Sequence, residues 1–313
     1  MNLKLPIKII IIISITILFF VLYQLNKNAL NSLPKGNIIT KVIERAEYNI
    51  DKRVIKEYSI FDSDLGEIKI AVSFPKGLNE IPLPTLFILG GLETGLKSAK
   101  HVSNIGNNIL VGFEWPINNK SIKKKNILYN AFNLYYSINK SPGQVAAALE
   151  WVHDQPWSSN QISLLGFSIG AIVTPSVQNL IHDKGIFEIK WTVMAYGGTN
   201  LRKLVNSNPY IQPLWLKPIL GWITQLFFNS IDPKEHLKNI SGNFLIINGK
   251  NDNLIPKYSS LEFQNLTPFP KKIILLEGGH MGVGKGQKEL LKTIIKETKL
   301  WLKDNKAINE NDS

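Results

Sequence analysis

From about residue 54 onward the sequence alternates short apolar runs with stretches of helical periodicity, and this alternation restricts the chain to an α/β architecture. Residues 54–61 and 67–74 read as a β-hairpin around the turn signal Ser63-Asp64-Leu65-Gly66. Residues 85–89, closed by Gly90-Gly91, and residues 108–113 read as buried strands. Further strands are expected at 162–165, 191–195, 244–247 and 272–276. Between them, residues 144–153 place Val145, Ala148, Leu149 and Val152 at helical spacing, with Ser141-Pro142 as the start signal. Residues 169–180 read as a helix that Pro175 can kink, and a helix over 287–303 closes the chain. Strands joined by helices predict a mostly parallel sheet with helices on both faces. A helical insertion at about 200–240 carries Tyr210, Trp215, Trp222, Phe227 and Phe228. It either caps a pocket or packs on the sheet as amphipathic helices.

The N-terminus has a different pattern. After Lys4 and Lys8, residues 9–25 are apolar except for Ser14, Thr16 and Gln24. At about 1.5 Å per residue they cover roughly 26 Å, against a hydrocarbon core of about 30 Å. Residues 5–7 extend the run if Lys8 snorkels to the headgroups. The stretch is apolar all round, and the small residues that follow lack the pairing of a cleavage site: Lys27 stands two before Ala29, and Leu30 two before Ser32. The sequence thus predicts an uncleaved transmembrane anchor over 1–27, a linker over 28–50 and an α/β domain over 51–305. The protein is expected to be single-pass in the membrane, with the domain outside the cytoplasm.

Lys and Arg outnumber Asp and Glu by 36 to 24, for a net charge of +12. The lysines are scattered, with one tight run at Lys123, Lys124 and Lys125. This reads as a solvated basic surface and not a nucleic-acid partner. The absence of cysteine excludes disulfides, thiolate metal sites and a cysteine nucleophile.

Gly166-Phe167-Ser168-Ile169-Gly170 matches G-x-S-x-G, with an expected strand before it and an expected helix after it. A nucleophilic serine needs that sharp strand-to-helix turn, and the free N–H groups of the helix stabilise developing negative charge. The hydroxyl also needs a base, and the base an orienting carboxylate. Asp252 follows the strand at 244–247 in Gly249-Lys250-Asn251-Asp252-Asn253-Leu254-Ile255-Pro256. His280 follows the strand at 272–276 in Gly278-Gly279-His280-Met281-Gly282. All three candidates thus stand after the carboxyl ends of expected parallel strands, where such sheets place their sites.

In this elbow, in the order Ser, Asp, His, and in the stretches around Asp252 and His280, the sequence resembles the α/β-hydrolase superfamily over residues 55–303. The resemblance implies an acyl-serine mechanism with Ser168 as nucleophile, His280 as base and Asp252 as its orienting acid. It implies a dry pocket, no cofactor and no metal, and the aromatic content points to an apolar acyl group, so a small-molecule or lipid-like acyl substrate is expected. It also implies an oxyanion hole formed by the N–H of Ile169 and by the turn after 85–89. There the chain has Gly90-Gly91-Leu92-Glu93-Thr94, making the Leu92 N–H the second donor and that of Gly91 the next choice, with Glu93 expected to point away. Acyl transfer to another acceptor uses the same residues, and a catalytically silent binding module on this fold is the alternative of a different class.

The remaining candidates are weaker. His153-Asp154 and His182-Asp183 lack further metal ligands and read as helix-end or surface residues; His101 and His236 read as structural. Asp232 precedes Pro233 and reads as a helix cap and less as an acid. The run from Gly279 to Gly286 approaches a phosphate-binding loop, but Gly286 occupies the place of the Ser or Thr that holds magnesium.

Overall fold

The computed structural model describes residues 5–77, 81–92, 94–101, 105–117, 127–282 and 287–309. The expectations for Glu93 and for Lys123–Lys125 lie outside them, as does the end of the phosphate-loop-like run.

The described strands are β1 (Ile39–Ile50), β2 (Arg53–Asp62), β3 (Gly66–Pro75), β4 (Leu83–Leu89), β5 (Ile109–Phe113), β6 (Ser158–Phe167), β7 (Trp191–Ala195), β8 (Asn243–Gly249) and β9 (Lys271–Leu276). They make one sheet in the order β1-β2-β3-β5-β4-β6-β7-β8-β9. The first three strands and the β3–β5 pair are antiparallel; from β5 across to β9 every pair is parallel. All seven residues of β4 are buried, Thr85 among them, which accounts for its largely apolar sequence. Residues 39–50, in the stretch read as a linker, form β1, paired with β2 from Ile39↔Asp62 to Ile50↔Arg53.

The described helices are α1 (Leu5–Asn26), α2 (Ser98–His101), α3 (Ile127–His153), α4 (Ile169–Lys184), α5 (Leu201–Ser207), α6 (Leu216–Phe228), α7 (Pro233–His236), α8 (Lys257–Leu266) and α9 (Gln287–Asp304). Helices cover both faces of the sheet. On one face Val145 and Leu149 of α3 and Val173 and Val177 of α4 join Phe87, Val111 and Leu164 in the core. On the other, Ile294, Trp301 and Leu302 of α9 pack with Leu86, Leu110 and Val193. Helix α3 runs through Pro142 and does not begin there. The Ser141 hydroxyl donates to Ser137 C=O at 2.8 Å beside this proline, and burial of Val145 to Leu149 holds the next turns in register.

The expected transmembrane anchor over residues 1–27 is corrected. Among the described residues no helix is long and apolar enough to cross a membrane. Helix α1 is the element that occupies this stretch. This helix touches the domain at α6, where the Phe20 ring lies 6.2 Å from that of Phe227. The single-pass placement, the membrane partner and the assignment of the domain to the far side of a membrane lose their basis with the span.

Order reverses at β4: the chain adds β5 on one side and then returns to add β6 on the other. The carboxyl ends of β4 and β6 therefore flank a topological switch point, where loops diverge and leave a crevice. Ser168 follows β6 at that crevice, and the Gly90-Gly91 turn follows β4.

Candidate active site

Ser168 joins β6 to α4 with φ 54° and ψ −114°, a conformation L-residues rarely adopt. The turn holds it there: its N–H donates to Ala195 C=O at 2.9 Å, and its own C=O accepts from Ala171 N–H at 3.0 Å. Both glycines of the motif are required by space. A Cβ on Gly170 would meet Leu89 O at 2.0 Å, and one on Gly166 would meet Thr174 Oγ1 at 2.3 Å. Helix α4 thus begins almost on the backbone of β4, which aims the Ser168 hydroxyl out of the turn.

His280 and Asp252 reach the same place from loops after β9 and β8. Ser168 Oγ lies 2.8 Å from His280 Nε2, and His280 Nδ1 lies 2.7 Å from Asp252 Oδ2. Only 7% of the imidazole and 2% of the carboxylate side chain are exposed, so the pair interacts in a screened, low-dielectric setting. The other Asp252 oxygen, Oδ1, accepts from Leu254 N–H at 2.8 Å and Ile255 N–H at 2.9 Å. These bonds fix the carboxylate rotamer and tie it to the turn that starts α8. The two loops are stitched together by Asn251 N–H to Gly278 C=O at 3.1 Å and Lys250 N–H to Leu276 C=O at 2.9 Å.

Ile169 is the first residue of α4, so its N–H has no carbonyl partner within the helix. Leu92 lies in the turn after β4 with its side chain 43% exposed. The other acidic and histidine candidates lie elsewhere. Asp232 accepts from the N–H groups of Asn200, Leu201 and Lys234, and so caps both α5 and α7. Asp183 pairs with Lys35 at 2.6 Å, and His153 stacks on Phe187 at 4.6 Å. His236 is buried between Asn179 and Ser230 C=O. The His101 side chain lies outside the described residues. Among the described residues no group of three His, Asp or Glu side chains could hold a metal ion.

No protein-family model and no curated relative matches the chain. Solved structures do. Acetyl xylan esterase from Paenibacillus sp. R4 aligns over 89% of this chain and 94% of its own, with 16% identity and a TM-score of 0.59. Acetyl xylan esterase 1 from Thermoanaerobacterium sp. JW/SL YS485 aligns over 89% and 93%, with 14% identity and a TM-score of 0.55. The hyperthermophilic esterase from the archaeon Pyrobaculum calidifontis aligns over 96% and 99%, with 16% identity and a TM-score of 0.55. The shared feature at such identities is the fold. The chain has the α/β-hydrolase fold.

Two residues around the hydrolase-fold elbow escaped sequence reasoning. Tyr196 follows β7 with φ 60°, fully buried, its ring edge-on to the His280 imidazole at 5.5 Å. Its hydroxyl has no hydrogen-bond partner among the described residues, and burial, with the Asp252 charge adding to it, pushes the phenol up to about 12. Position at a strand's carboxyl end, before Gly197-Gly198, was the available signal. Tyr196→Phe is expected to keep or raise the melting temperature, because it leaves no protein group unpaired. Tyr196→Ala, which removes the ring beneath His280, should cost about 3 kcal/mol. Thermal denaturation of both variants checks this, and a large loss in Tyr196→Phe would show that the hydroxyl has a partner. The second residue is Gln287 of α9, which accepts from Gly282 N–H and donates to His280 C=O at 3.3 Å, bracing the histidine loop from behind.

Among the described residues, the insertion contributes none to the lining of the cavity beside the elbow. Tyr210, Trp215 and Trp222 are exposed, and α6 buries Gly221 and Leu226. A cavity of roughly 470 Å³ next to the elbow is lined instead from β4, Phe167, Met281 and α9.

Proposed function

We propose that this chain is a serine hydrolase that cleaves an ester, or a related amide or thioester, through an acyl-serine intermediate. The observation that carries the reading is the continuous hydrogen-bonded line from Ser168 Oγ through His280 to Asp252. His280 Nε2 takes the Ser168 proton as Oγ attacks the acyl carbon, and later returns it to the departing group. Nδ1–H donates to Asp252 throughout, which selects the tautomer whose Nε2 is free to accept. The N–H groups of Ile169 and Leu92 receive the oxyanion, and the amino end of α4 adds favourable potential there. Water then attacks the acyl group with His280 as base.

The structural neighbours are esterases, which favours an ester over an amide. Transfer of the acyl group to an alcohol differs only in the acceptor, so added alcohols report it as a new ester product. The first test is labelling by a fluorophosphonate probe. Wild type is expected to label, and Ser168→Ala and His280→Ala to lose the label while remaining folded. A folded wild type that stays unlabelled overturns the assignment and favours a binding module on the same fold.

A further inference from the structure

The cavity beside the elbow has a composition that points to a class of substrate. Ile88, Phe167, Met281, Leu291 and Ile295 make its lining largely apolar. Phe167 immediately precedes Ser168, Met281 immediately follows His280, and the Gly90-Gly91 turn forms another edge. The cavity is thus lined by the chain neighbours of Ser168 and His280, though not by those two side chains themselves. At roughly 470 Å³ the space is within the usual range for small-molecule pockets and far exceeds an acetyl group.

Its charged lining residues are both cations. Lys97, at the end of the turn after β4, and Lys288, in the first turn of α9, face the cavity from different elements. No carboxylate is among the described lining residues. Both lysines are exposed, and neither forms an ion pair with a described acid, whereas Lys35, Lys56, Lys184 and Lys292 all do. An apolar cavity with two uncommitted ammonium groups suits a ligand with an apolar body and an anionic end, because such a ligand buries its body without stranding either charge. The net charge of +12 favours the approach of anions to the protein as a whole.

We propose that the substrate is an ester with an apolar part that carries an anionic group, held by Lys97 and Lys288. The proposal rests on the ester-hydrolase reading. The anion can belong to the acyl chain or to the alcohol, and the test separates the two. Full-length wild type and the double variants Lys97→Gln/Lys288→Gln and Lys97→Glu/Lys288→Glu are assayed for kcat/KM. The acyl-side probes are 4-nitrophenyl hexanoate and the mono-4-nitrophenyl ester of adipic acid, which adds a terminal carboxylate to the same chain length. The alcohol-side probes are the hexanoate esters of phenol and of 4-hydroxybenzoate.

In one of the two pairs the anionic ester is expected to exceed its neutral counterpart by about 10-fold in wild type. That ratio is expected to fall to near one in the glutamine variant and below one in the glutamate variant. Added 0.5 M NaCl should reduce it in wild type alone. Neutral esters that match or exceed their anionic counterparts in both pairs overturn the proposal, as does a preference that survives both substitutions. Hydrolysis of none of the four by wild type sinks the ester-hydrolase reading itself, and the substrate class falls with it. Both lysines are exposed, so circular dichroism is expected to show folded variants, and the salt dependence of wild type tests the proposal independently of them.

Discussion

Ser168→Ala is expected to lower kcat on an activated ester by on the order of 10⁴- to 10⁶-fold and to leave the fold intact. The size follows from how much of the reaction passes through one atom. Oγ is the group that forms the acyl bond in the proposed mechanism, and no other nucleophile replaces it. The stability expectation follows from what the alanine keeps. The elbow conformation is enforced by Ser168 N–H on Ala195 C=O and by the Ala171 N–H on Ser168 C=O, both of which are backbone bonds. The variant therefore retains the strained φ of 54° and loses only the hydroxyl's bond to His280. Steady-state kinetics beside a melting curve checks both halves. Residual activity within about 10-fold of wild type would exclude Ser168 as the nucleophile. Asp252→Asn is expected to come next, at roughly 10⁴-fold, since an amide at that place favours the wrong imidazole tautomer.

Gly170→Val is expected to be the most damaging small substitution for folding, at about 3 kcal/mol or more, with loss of fluorophosphonate labelling. Even its first carbon would sit 2.0 Å from Leu89 O and 2.8 Å from Leu89 Cβ. Neither obstacle can rotate away, because one is the backbone of a fully buried strand. Relief would require α4 to lift off β4, and α4 carries Ile169 and follows Ser168, so site and stability fail together. Gly185→Ala at the far end of the same helix is the control. A Cβ there meets nothing within 4 Å, and the cost is confined to a φ of 65°, about 1 kcal/mol. Urea unfolding of the two variants measures the difference. Equal losses would show that the close approach of α4 to β4 is not what the second motif glycine provides.

Much of the fold was legible because its signals are local. The hairpin β2–β3 is encoded in alternating residues around a four-residue turn, and the largely apolar runs of β4, β7 and β8 mark strands covered on both faces. The elbow is local as well, being a strand, five residues and a helix. Strand β1 was not legible. It is an edge strand whose residues are mostly exposed or half-buried, so it lacks the apolar pattern by which strands are found, and its pairing with β2 identifies it. The N-terminal helix misled in the opposite direction. Its apolar residues suggested a span, but among the described residues no helix is long and apolar enough to cross a membrane.

The sequence by itself determined the strands from β2 to β9, the turn at Ser168, and the positions of Asp252 and His280 after successive strands. Residues a few positions apart decide each of these through propensity, spacing and turn chemistry. Only the tertiary structure decided the distances of 2.8 Å and 2.7 Å that link the three side chains, the ring of Tyr196 under the imidazole, and the meeting of Lys97 with Lys288 across one cavity. These groups lie tens to nearly two hundred residues apart. Their approach depends on parallel strand pairing and on which helix covers which face, and neither is written in any short stretch of chain.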